Sequence, residues 1–95
     1  MTEKDTLLFD IGLRMQAIRK RLGFKQINFA AELGISPASL SEIEAGRAKP
    51  MFDTIFNLTK KFNVNVYYLL HGQCEMFSGD DVDRSIGTGK YGEYT

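Results

Sequence analysis

Ninety-five residues fit one domain, and a core of about sixty residues buries only a modest share of its chain's surface, so marginal stability is expected. Cys74 is the only cysteine, which excludes an internal disulfide and any zinc site built from several thiolates. No apolar run approaches the length that crosses a bilayer and residues 1–5 lack the regions of a signal peptide, so a cytoplasmic protein is expected.

The net charge is zero, but it is unevenly distributed. Between residues 11 and 72, nine basic side chains stand against four acidic ones, while residues 1–10 and 73–95 both carry an acidic surplus. A basic body with acidic ends suits DNA binding of limited non-specific affinity, because the ends repel the phosphates that the body attracts.

In chain order, Leu7, Leu8 and Phe9 form an apolar cluster that is either one more helical turn or an arm packed on another surface. Ile11, Met15, Ile18 and Leu22 then recur at helical spacing and predict a first helix over 10–22, ended by Gly23. From Gln26 to Gly46 the chain reads as two short helices around a tight turn. Ile27, Phe29, Ala30 and Leu33 make the apolar face of the second helix, and Gly34 supplies the left-handed backbone of its sharp end. Ser36 is the expected cap of the third helix, 37–45, with Pro37 at its first position and Gly46 closing it. Only Leu40 and Ile43 anchor this helix, leaving Pro37, Ala38, Ser39, Ser41 and Glu42 outward or at its leading end. Ala30 is small enough for the two helices to cross closely.

After the loop 47–50, Phe52, Ile55, Leu58 and Phe62 predict a fourth helix ending near Asn63, and a short fifth covers about 66–70. No strand alternation occurs before the tail. The expected fold is all-α: a five-helix bundle with a central helix-turn-helix and a short C-terminal extension. Residues 1–9 form an N-terminal arm, 10–72 the domain, and 73–95 a tail whose composition cannot build its own core. Met76, Phe77, Ile86, Tyr91 or Tyr94 are expected to pack across a partner subunit.

Gln26, Ala30, Gly34, Ser36, Ile43, Glu44, Gly46 and Pro50, in that order, resemble the helix-turn-helix of phage repressors and Cro and the bacterial regulators built on it. Ile11-Gly12-Leu13-Arg14 with Ile18-Arg19 is similar to that family's first helix, and Leu69-Leu70-His71-Gly72 to the end of its fifth. The likeness covers about residues 10–72, several motifs in the correct order. It implies a sequence-specific DNA-binding regulator, a dimeric repressor acting on double-stranded DNA without chemistry, cofactor or metal.

A major-groove reader must bring small or polar side chains to the leading end of one helix, which Pro37, Ala38, Ser39, Ser41 and Glu42 provide. The resemblance implies that Pro37, Ala38 and Glu42 face bases. The first two have no side-chain donor and suit a thymine methyl, a departure from the family's polar habit, whereas Glu42 suits a cytosine amino group or is simply a solvated carboxylate. Gln26 begins the second helix where its amide and the free N–H groups point at a phosphate; Ser36, Lys25, Arg47 and Lys49 complete the expected phosphate contacts. The resemblance also implies a buried, structural ion pair between Arg19 and Glu44.

Such domains gain affinity in pairs, so a homodimer is expected, with Phe56, Tyr67, Tyr68, Met76 and Phe77 as interface candidates; Phe56 and Tyr68 suit the domain's own core equally well. Gly87-Thr88-Gly89-Lys90-Tyr91-Gly92 fits a dinucleotide-binding glycine pattern, but only three residues follow it and no helix can open there. His71 is alone, which leaves a metal site or a catalytic dyad without a second member. Asn57-Leu58-Thr59 matches a glycosylation acceptor but falls within a predicted helix. The alternative function is an antitoxin or another protein-interaction module whose tail holds a protein partner, since this fold serves there too.

Overall fold

The computed structural model describes residues 3–78, except for the side chains of Lys4 and Asp5. It is all-helical within that span: α1 (Glu3–Leu22), α2 (Gln26–Leu33), α3 (Pro37–Glu44), α4 (Phe52–Phe62) and α5 (Val66–His71). Among the described residues no helix is long and apolar enough to cross a membrane.

The first helix begins at Glu3, well before the expected start at Asp10. Of the two alternatives for Leu7, Leu8 and Phe9, the structure takes the helical one, and residues 3–9 are continuous with α1 instead of forming a separate arm. The buried stripe is Ile11, Met15 and Ile18, as the periodicity predicts. Gly23 takes φ +84°, and the bonds from Gly23 N to Lys20 O (3.0 Å) and Phe24 N to Arg19 O (3.1 Å) satisfy carbonyls at the helix end.

The same device ends α2. Gly34 adopts φ +75°, and Ile35 N donates to Ala30 O at 3.0 Å. Phe29, Ala30 and Leu33 are buried, and Ala30 has no exposed surface, as a close crossing with α3 requires. Ile27 does not belong to that face: it is 62% exposed, because the helix presents only the 29–30–33 arc to the core.

The third helix is capped as its sequence predicts. Ser36 Oγ accepts from Ser39 N at 3.0 Å, and Pro37 occupies the first turn without losing a bond. Ser36→Ala should therefore lower stability by about 1 kcal/mol. Denaturant titration checks this, and an unchanged midpoint would show the cap to be idle.

On α4, Leu58 is buried and Ile55 and Phe62 pack against the core, but Phe52 is 77% exposed and Thr54 takes the buried position instead. Phe52 lies beside Phe56 on the outer face, ring centroids 6.4 Å apart. The helix ends at Asn63, whose φ of +58° is the left-handed conformation that asparagine tolerates best after glycine. Asn65 caps α5 by accepting from Tyr67 N at 2.9 Å.

Phe24, Phe29 and Phe62 form an aromatic triad with centroids 5.4 to 5.6 Å apart, joining the α1–α2 turn, α2 and α4. Part of the chain's high aromatic content is thus used within this one core.

Residues 73–78 do not leave the domain. Asn65 N donates to Met76 O (2.9 Å), Ser78 N donates to Asn63 O (2.8 Å), and Val64 and Phe77 form an isolated antiparallel bridge. Met76 and Phe77 pack against the domain's own core, and Arg21 stands over the Phe77 ring at 5.9 Å. These two side chains, expected to pack across a partner subunit, are half-buried on their own domain: the backbone groups after α4 need partners, and this returning segment supplies them. Ile86, Tyr91, Tyr94 and the glycine-rich 87–92 lie outside the described residues, as does most of the segment on which the antitoxin alternative turns.

Candidate nucleic-acid interface

The surface formed by α3, the start of α2 and the loop after α3 is built from the inside outward. Leu40 (0% exposed) and Ile43 (5%) seat α3 on the core, so the opposite side and the front of the helix are left in solvent. Pro37, Ala38, Ser39 and Glu42 are exposed and Ser41 is half-buried. An open groove of about 390 Å³ beside the helix is lined by Ala38, Ser39 and Glu42 together with Lys49 and Met51. It brings three of the expected reading residues and one expected phosphate contact to a common surface.

Beneath that surface α3 is tied to α1. Arg19 Nε donates to Glu44 Oε2 at 2.8 Å and its Nη2 to Oε1 at 3.1 Å, a two-point bond with side-chain exposures of 11% and 3%. Arg19 Nη1 also donates to Phe24 O at 2.9 Å, so the guanidinium joins α1, the α1–α2 turn and α3. This is the geometry in which a planar fork outperforms an ammonium group.

Gln26 joins the same network. Its Nε2 donates to Glu44 Oε1 at 3.0 Å, a bond that the sequence did not reveal. A carboxamide nitrogen carries two protons, so the second remains for an anion in front of α2. Ser36 is also engaged: its Oγ donates to Ser39 Oγ at 3.1 Å while accepting from Ser39 N. Ser36 thus caps α3 while remaining on its exposed front.

The three expected cations fall into two kinds. Lys25 and Lys49 are exposed and make no ion pair among the described residues. Arg47 is exposed as well, but its Nε and Nη2 both donate to the Glu42 carboxylate, each at 3.0 Å. The side-chain hydrogen bonds from Arg47 hold the Glu42 carboxyl below the usual carboxylate range, opposed by slight desolvation, and the same bonds raise Arg47. Glu42 is therefore ionised at neutral pH.

Two glycines, Gly12 and Gly46, set the distance between α1 and this surface, a spacing role that the sequence did not reveal. Gly12 is packed so closely on the end of α3 that a Cβ there would lie 2.8 Å from Glu44 O and still nearer to Ile43 O. Gly46 takes φ +80°, and a Cβ on it would lie 2.8 Å from Phe9 Cα. A glycine inside an otherwise regular helix, as at Gly12, is the available signal for such an approach.

Of the interface candidates, Phe56 (49%) and Tyr67 (51%) are exposed, whereas Tyr68, Met76 and Phe77 pack on the core. His71 ends α5 with its ring 4.7 Å from that of Tyr67.

Comparison with known proteins agrees with this geometry. The HTH-type transcriptional regulator ImmR of Bacillus subtilis (strain 168) is 32% identical over 73 residues, which make up 77% of this chain and 57% of that protein. The chain thus spans a little over half the length of this relative. No solved structure matches it. The helix-turn-helix family matches residues 15–69, from the middle of α1 to α5, which is more than half of the chain and includes both helices of the motif and the turn between them. The protein is a member of the helix-turn-helix family.

Proposed function

We propose that the protein is a sequence-specific DNA-binding transcriptional regulator, a dimeric repressor that acts in the cytoplasm by occupying its site and performs no chemistry. The observation that carries this reading is the exposed front of α3, seated by Leu40 and Ile43 and flanked by Lys25 and Lys49, which make no ion pair among the described residues. In a major groove, Pro37 and Ala38 suit thymine methyl groups, Ser39 and Ser41 suit any polar base edge, and Glu42 suits the amino group of cytosine. Lys25, Lys49, the second amide proton of Gln26 and the N–H groups at the start of α2 suit phosphates, which fix register without reading sequence.

One such domain touches few base pairs. Two of them related by a twofold axis, with reading helices about 34 Å apart, would recognise a near-palindrome. The exposed Phe56 and Tyr67, with Phe52 beside the former, suit the contact between copies.

Selection of bound sequences from a random duplex pool tests the proposal, and an enriched palindrome is the expected result. If a dimer neutralises about six phosphates, the slope of log affinity against log salt should be near −5. A pool that shows no enrichment, together with a slope near zero, would overturn the reading.

A further inference from the structure

Glu42 poses a problem for the proposed reading. A carboxylate entering a groove lined by phosphates meets their summed repulsion, and only a cation held against it relieves that repulsion. The structure supplies one. Arg47 grips both oxygens of Glu42 through Nε and Nη2, each at 3.0 Å.

The backbone prepares this grip. Arg47 N donates to Glu42 O at 2.9 Å, closing the turn after α3 and bringing residue 47 back to residue 42. Gly46 makes that turn possible at φ +80°, and its close approach to Phe9 Cα fixes it against α1. The pair is thus set by the fold, with Lys49 on the same groove as Glu42 and without an ion pair among the described residues.

We infer that Arg47 is not a phosphate contact but the positioning partner of Glu42, and that the two enter the groove as one charge-neutral unit reading a single base pair. The inference rests on the proposed DNA reading and names the device that determines specificity within it. Each carboxylate oxygen uses one lone pair on the Arg47 fork and keeps another for a cytosine amino proton. The fork also restricts the Glu42 side chain, so less conformational freedom remains to be lost on binding. A lysine at position 47 could neutralise the charge but could not hold both oxygens in one plane.

The test is the salt dependence and base preference of the full chain on the duplex that the wild type enriches, compared for Arg47→Ala, Arg47→Lys and Glu42→Ala. All three replace exposed side chains, and thermal melting verifies that each variant is folded. Arg47→Lys should leave the slope of log affinity against log salt unchanged, Arg47→Ala should flatten it because a bare carboxylate is left among phosphates, and all three should relax preference at the same base pair. A phosphate contact behaves otherwise: Arg47→Ala would flatten the slope as well, but Arg47→Lys would resemble the wild type and base preference would survive both substitutions. That pattern overturns the inference while leaving the DNA reading in place. A wild type that enriches no duplex removes the DNA reading, and the inference with it.

Discussion

Glu44→Ala should lower the stability of the domain by about 3 to 5 kcal/mol, because it leaves the Arg19 guanidinium largely buried without its counter-charge. Arg19 would retain only the carbonyl of Phe24, and Gln26 would lose its acceptor. In a domain of this size each kcal/mol shifts the melting temperature by about 4 to 8 °C, so thermal unfolding followed by circular dichroism reads the effect directly. DNA affinity should fall as a consequence, in proportion to the fraction unfolded. Replacing both Arg19 and Glu44 by methionine should cost far less than Glu44→Ala alone, since no orphaned charge remains. A Glu44→Ala variant that melted like the wild type yet failed to bind DNA would place Glu44 in the recognition surface and refute a structural role.

Gly12→Ala is the second large effect, and its sign runs against helix propensity. Alanine in place of glycine inside a helix ordinarily contributes about 1 kcal/mol of stability. Here the added methyl would sit 2.8 Å from Glu44 O and closer still to Ile43 O, both backbone atoms that cannot turn aside. The helices must separate, and overpacking of this kind costs about 1 to 3 kcal/mol, so after the propensity gain a net loss of up to about 2 kcal/mol is expected. The separation also moves the end of α3, so affinity for DNA should fall even at temperatures where the variant is fully folded. Urea titration with binding measured in parallel checks both parts, and a variant more stable than the wild type would refute the close approach.

These two positions show what could be read from residue order. Arg19 and Glu44 were legible as a pair through family resemblance, because the motif fixes their relative place. Gly12 was visible as part of the likeness to the family's first helix but not as a point of close approach, since nothing in the local sequence says that the carbonyls of Ile43 and Glu44 lie against it. Local rules located the caps and ends well: Gly34, Ser36 and Asn63 do what their residue types favour, because capping is decided within five or six residues. They failed at Ile27 and Phe52, apolar residues that the periodic pattern assigned to the core and the structure leaves in solvent. Periodicity gives a face to a helix but not the width of the neighbour that covers it.

The candidate site divides in the same way. An exposed front on α3 followed from there being only Leu40 and Ile43 to bury, a matter of composition. Which polar atoms remain available there did not follow. Ser36 bonds to Ser39 and Arg47 closes on Glu42 through the turns at the two ends of α3, and Gln26 gives one of its two protons to Glu44 once α2 and α3 are packed.

By itself the sequence determined the five helices, the ends marked by Gly34, Ser36 and Asn63 and the exposed front of α3, since hydrogen bonding and side-chain size act over a few residues. Only the tertiary structure decided that α1 starts at Glu3, that Met76 and Phe77 return to their own core and that Arg47 is paired. Those outcomes depend on surfaces and carbonyls that distant parts of the chain bring together, and a linear pattern carries no distance between them.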